Sequence, residues 1–234
     1  MPDAQSIAPA LIEYSVRRSP RARRVHVRVG AAGVEVVLPR RAADREAAAA
    51  VRELAPWIER RLHEQRAAAF AVAARGDSVP YLGRMLRVRR EPGRTRVHRR
   101  GDELRAPDGE LLLDALERWY RRAARNEIVP RLDDACALSG SSYRSLTIRG
   151  QRTRWASCSR SGAMSFNWRL LLAPEPVLDY VVWHEVCHLH VMDHSPRFWA
   201  LLEHHCPDAR MHATWLRRHG GELVLSAAAL RSAG

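Results

Sequence analysis

Lysine is absent from the 234-residue chain, so all 39 of its strongly basic side chains are arginine. A uniform preference of this kind reflects the composition of the genome, and it weakens any functional reading of a single arginine. No apolar run approaches the roughly 18 residues that a membrane-spanning helix requires, so a helical membrane protein is not expected. The N-terminal segment MPDAQSIAPALIEYSVRR lacks the basic-then-apolar order of a secretory signal, and the expected location is the cytoplasm. Cysteine is scarce: Cys136, Cys158, Cys187 and Cys206 include no C-x-x-C pair. A disulfide framework is not expected in such a chain, and the four read as buried free thiols. Cys158 and Cys187 stand close to the motif described below. There is no internal repeat.

What is present suits a globular protein. Apolar residues make up 46% and charged residues 28%, enough for a sizeable core in one large domain or two small ones. The formal net charge of +13 attracts anionic partners: nucleic acid, nucleotides or acidic peptides. A solvated basic surface is the plainer reading, because basic character alone does not identify a nucleic-acid binder.

Val25, Val27 and Val29 alternate with His26 and Arg28, the period of a half-buried strand. Gly30-Ala31-Ala32-Gly33 is a turn, and Val34 to Leu38 returns as a second strand. Residues 43–74 are helical in pattern, with Asp44 as expected N-cap and a break near Pro56. Short strands follow over 78–113, turning at Tyr81-Leu82-Gly83-Arg84, Pro92-Gly93 and Pro107-Asp108-Gly109. The arginine-rich run Arg94–Arg100 reads as an exposed edge. A long helix over 114–138 ends at Ser139-Gly140-Ser141. A short strand at 145–148 precedes a hairpin formed by 152–158 and 163–172. A helix beginning near Pro174 and Pro176 runs through His188, another starts at Ser195-Pro196, and a last helical segment spans 211–219.

Residues 184–188 read His-Glu-Val-Cys-His. On a helix, His184 and His188 share one face and aim two imidazoles at one point. Glu185, about 100° around the axis, cannot bind alongside them but can reach water on the metal's open side. This is the H-E-x-x-H arrangement. A catalytic zinc needs a third protein ligand and an open position. His194, six residues past His188, has the spacing found in H-E-x-x-H-x-x-G-x-x-H. Val191 occupies the glycine position there, so Asp193 is expected to adopt the unusual backbone conformation instead. His190 is an alternative ligand on a different helical face, while His204 and His205 read as surface residues. Zn2+ is the expected cofactor, with another divalent metal as the alternative.

Several segments resemble one family. They are Arg154-Trp155-Ala156-Ser157-Cys158-Ser159, Asn167-Trp168-Arg169-Leu170, Ala173-Pro174, Asp179 to Val182, the H-E-x-x-H run, and His194-Ser195-x-x-Phe198-Trp199. Together they are similar to YgjP-like metallopeptidases, most strongly over about 150–217. Ala156 replaces the glycine of the family's RWGSCS hexamer, and Val186 and Cys187 replace Leu and Ala of its H-E-L-A-H motif. The metal-site region also resembles SprT-like and WLM proteases. The resemblance implies an α+β fold. Its zincin-like core would pack the H-E-x-x-H helix on a small sheet, over 111–234. An N-terminal β-rich region with one long helix would occupy 1–110. It places the 152–172 hairpin beside the cleft, making Arg152, Arg154, Trp155 and Ser157, together with Arg197, candidate substrate-binding residues. Glu185 is the candidate catalytic residue.

Three functions are weighed. The first is a metallopeptidase acting on a peptide or protein, with Glu185 as general base. The second is a metal-dependent nucleotide pyrophosphatase, in which arginines neutralise phosphate charge. The third is a basic nucleic-acid-binding module, which leaves Glu185 unexplained.

Overall fold

The computed structural model describes residues 12–30, 33–151, 153–226 and 230. The valine alternation produces β2 (His26–Gly30) and β3 (Gly33–Pro39), paired antiparallel, with β1 (Tyr14–Ser19) added in parallel on the far side of β3. Val34, Val36 and Leu38 therefore point to one face. There they pack with Ala47 and Val51 of α1 (Asp44–Glu53) and with Ile58. Helix α2 (Ala55–Ala73) begins directly after Leu54, and Pro56 lies in its first turn, where its missing N–H costs nothing. The break near Pro56 is thus a restart. Ala43, not Asp44, holds the N-cap position of α1. The Asp44 carboxylate is engaged by Arg18 Nη2 at 2.6 Å, and the Ala43 N–H donates to Glu46 at 2.8 Å.

The chain divides into two units, 1–70 and 71–234, each with its own core. This division differs from the boundary expected at 110/111, and the reason lies in the second unit. Strands β4 (Ser78–Tyr81), β5 (Arg84–Arg90), β6 (His98–Arg100) and β7 (Glu103–Ala106) form a sheet of order β4-β5-β7-β6. Leu86, Val88 and Leu104 share a core with Leu116, Tyr120 and Ile128 of α3 (Leu111–Ser139). Polar contacts tie the same parts together. Tyr120 Oη donates to the Pro80 carbonyl at 2.5 Å, Tyr81 Oη donates to Glu127 at 2.8 Å, and the Leu82 N–H donates to the Leu171 carbonyl at 2.8 Å. The β4–β5 turn needs two left-handed residues, Leu82 (φ 49°) and Gly83 (φ 83°). The bond to Leu171 helps hold Leu82 in a conformation that side chains disfavour.

A third sheet, of order β8-β10-β9, contains β8 (Ser145–Arg149), β9 (Ala156–Cys158) and β10 (Ala163–Asn167). The hairpin expected over 152–172 is present as β9 and β10, whereas Trp168–Leu172 winds into a 3-10 turn started by the Asn167 side chain accepting from the Arg169 N–H. The turn leads into α4 (Glu175–Cys187), followed by α5 (Pro196–His205) and α6 (Ala209–His219). Helix α4 buries Val177, Leu178, Tyr180, Val181, Val182 and Val186, the signature of a helix enclosed on most sides. Arg131 of α3, braced by Glu127 of the same helix at 2.6 Å, locks the first turns of α4 by donating to Asp179 at 2.9 Å and to Glu175. The result is an α+β fold with a zincin-like core. No described helix is long and apolar enough to cross a membrane.

Trp168 is 1% exposed and among the largest side chains fully enclosed in this core. Trp168→Ala is expected to lower the unfolding free energy by about 3–5 kcal/mol. Urea unfolding checks this, and a loss below about 1 kcal/mol would contradict the core assignment.

Candidate metal centre

His184 and Glu185 lie in the last turn of α4, and His188 caps it in helical conformation (φ −68°, ψ −16°). The i, i+4 relation between the two histidines therefore holds in space. The turn that follows brings His194 back. His184 Nε2 stands 3.2 Å from His188 Nε2 and 3.1 Å from His194 Nε2, and the three potential ligand atoms lie within 4.8 Å of one another. Tetrahedral coordination at about 2.0–2.1 Å would space such nitrogens about 3.3 Å apart. His188 Nδ1 faces the Val191 carbonyl at 3.0 Å. A carbonyl only accepts, so Nδ1 carries the hydrogen and Nε2 keeps its lone pair for the centre.

The turn is made without left-handed backbone at Asp193: among the described residues only Leu82 is a non-glycine with positive φ. The conformation expected at Asp193 is therefore absent. Instead, the Val191 N–H bonds the Cys187 carbonyl, and the Asp193 carboxylate accepts from the Ser195 N–H at 3.0 Å. Val191 suits its position because it is buried in the core.

Electrostatics mark the same spot. Glu185 is 5% exposed, its Oε2 has no hydrogen-bond partner, and burial pushes its carboxyl up to about 8. His184 Nδ1 is likewise enclosed without a partner. Burial, followed by the neighbouring His188 and His194, depresses His184 to about 3. Burial also lowers His188. Three imidazoles converge beside a buried carboxyl whose Oε2 has no partner. A divalent cation fits that donor set.

Two further residues, both from the segments that carry the family resemblance, join the site. Phe198 is fully buried and touches all three imidazoles, with ring centroids 4.9 Å from His184, 4.6 Å from His188 and 4.8 Å from His194. It forms an apolar floor that limits where the rings can swing. Its position four residues past His194 was the available signal. Cys158 of β9 is the second. Burial, and then the nearby Glu185, raises its thiol to about 11, so it stays protonated.

The expected substrate-binding residues do not converge in the same way. Ser157 Oγ pairs with Ser165 Oγ at 2.9 Å, and the Trp155 indole lies against Gly220, where an added Cβ would stand 3.0 Å from its ring. The Arg154 carbonyl accepts from the Asn167 side chain at 3.3 Å, while its side chain is exposed. Arg197 is exposed in the first turn of α5. Arg152 lies outside the described residues.

The model of the YgjP-like family, metallopeptidase domain, matches residues 23–219. The chain belongs to the YgjP-like metallopeptidases. In general terms it is therefore a metal-dependent peptidase, with three histidines placed to bind a divalent metal. Among solved structures, the metallopeptidase zymogen of Pyrococcus abyssi abylysin is similar, at 22% identity and a TM-score of 0.36, over 39% of this chain and 93% of that one. No functionally curated protein matches the chain.

The raised Glu185 predicts a pH-dependent stability. Between about pH 4.5 and 8 the folded, metal-free chain binds a proton at Glu185 that the unfolded chain has released. The stability linked to this group is thus present below 4.5 and lost as pH rises through 8. Glu185→Gln removes the requirement. The metal-free variant is expected to melt above the parent at pH 8, on the order of 5 °C, and level with it at pH 4. A difference independent of pH would contradict a buried, protonated Glu185.

Proposed function

We propose that this YgjP-like chain is a zinc peptidase in which His184, His188 and His194 hold the metal through Nε2 and Glu185 is the general base. The observation that carries this reading is the convergence of three Nε2 atoms beside a buried carboxyl with a free oxygen. A set of three imidazole ligands suits zinc, although imidazole also binds neighbouring transition metals. When bound, the cation supplies a Lewis acid for the scissile carbonyl and lowers the pKa of its water toward neutrality.

The chain's own residues do the rest. His188 is held in the ligating tautomer by the Val191 carbonyl, and Phe198 fixes the three rings from below. The positive charge of the cation would return Glu185 from its raised value to the carboxylate form, ready to take a proton from water and pass it to the leaving amine. Strand β9 packs against α4 and pairs with β10 on one side. An extended peptide added along its other edge would run beside Glu185. The nucleotide alternative has no comparable support: among the described residues, no arginine is hydrogen-bonded to His184, Glu185, His188 or His194. We place the protein in the cytoplasm, in keeping with four free thiols.

Glu185→Gln is expected to keep the metal and lower kcat by about 10²–10⁴-fold. Metal content by mass spectrometry and turnover of a casein substrate measure the two. Undiminished turnover would refute the general-base role, and chelator-sensitive hydrolysis of nucleoside triphosphates without proteolysis would refute the peptidase. Zinc titration in buffers of differing ionisation enthalpy gives a second check. At pH 7 the wild-type protein should release about one proton more than Glu185→Gln. Equal release would mean that the cation does not sense Glu185.

A further inference from the structure

The second unit holds a basic concavity that the metal centre does not use. It has a volume of about 660 Å3 and is lined by side chains from β6 and its approach and from α3. Val97 and Ala115 are buried at its floor. Around them stand Arg96, His98, Arg99, Arg118 and Arg122, all exposed, with the half-buried indole of Trp119. No carboxylate lines the site.

Composition alone does not explain this arrangement. Some arginines elsewhere are held by carboxylates. On the same helix, Arg121 bonds Glu117 and Arg131 bonds Glu127. A neighbouring concavity lined by Arg87, Arg89 and Arg90 also contains Asp77 and Glu103. Arg96, Arg118 and Arg122 make no ion pair or hydrogen bond with any described residue. Arg118 and Arg122, at i and i+4, project from one face of α3. Arg99 is anchored by Nε donating to the Gly101 carbonyl at 2.8 Å, by lying 4.7 Å over the Tyr81 ring, and by a long ion pair of Nη2 with Asp102 at 4.0 Å. His98 accepts from Arg94 at 3.0 Å through Nδ1. The like charges of Arg96, Arg118 and Arg122, with no counter-ion among the described residues, repel one another, and an anion relieves that repulsion.

We propose that this concavity is a binding site for single-stranded nucleic acid. Guanidinium groups recognise phosphate through paired N–H donors. Several of them spaced across a groove match a repeating phosphate backbone. The indole within the basic ring adds a surface on which a base can stack, the combination that sequence-tolerant single-strand sites use. A flat membrane surface fits a concavity poorly, and an acidic peptide is distinguished by the polyglutamate arm of the test. The net charge of +13 would speed encounter with such a ligand.

The test is fluorescence anisotropy of a labelled 12-nucleotide oligothymidylate with the full chain at several salt concentrations. The variant is Arg118→Glu/Arg122→Glu, and the control is Arg60→Glu/Arg66→Glu on α2, which changes the net charge equally. Both pairs are exposed, and circular dichroism checks folding. The variant in α3 is expected to weaken binding at least tenfold beyond the control and to reduce the slope of log K against log salt by about 1.4. Trp119→Leu should weaken binding about tenfold, in keeping with loss of one stacked base. Equal effects of the two double variants would overturn the proposal, because binding would then follow net charge alone. Polyglutamate or anionic vesicles bound as tightly as the oligonucleotide would also overturn it.

Discussion

The packing of α4 against α3, β9 and α5 removes His184 and Glu185 from water, and neither His184 Nδ1 nor Glu185 Oε2 gains a hydrogen bond in return. That desolvation is unfavourable for the folded chain taken alone. It lowers the basicity of the histidines and raises the pKa of the carboxyl. Both effects disfavour charge on His184 and Glu185 and favour a cation between them. The apolar residues around α4 and the Arg131 clamp on its first turns maintain this unfavourable local state by gains made elsewhere in the core.

The parts of the second unit are tied to that helix. The β4–β5 turn bonds the segment that leads into α4, Tyr120 reaches from α3 to β4, and Asn167 starts the 3-10 turn before the helix. This explains why the strands between 78 and 106 belong with the metal centre and not with the N-terminal sheet. Hydrogen bonds between such distant segments leave no local composition signal.

Much of the centre was legible as spacing. H-E-x-x-H places two imidazoles on one helix face, and six further residues allow His194 to return. The route of that return was not legible: Val191 serves as a core residue, and Asp193 works through its side chain instead of an unusual backbone angle. Phe198 was legible as part of the His194-Ser195-x-x-Phe198-Trp199 run, but its contact with every histidine of the site was not. Ser157 and Trp155 sit on the expected hairpin, yet their side chains meet Ser165 and Gly220. Alternation along a strand leaves open which face looks toward a neighbouring helix.

The sequence by itself determined the helix that carries the motif, the strand pairs marked by alternation and turn residues, and the chemical character of the donors. These depend on periodicity and on neighbours a few residues apart. Tertiary structure alone decided that Glu185 is buried without a partner, that three Nε2 atoms converge to within 4.8 Å, and that arginines of β6 and α3 share one concavity. Each of these is set by packing between segments far apart in the chain, where electrostatic environment and distance depend on the fold.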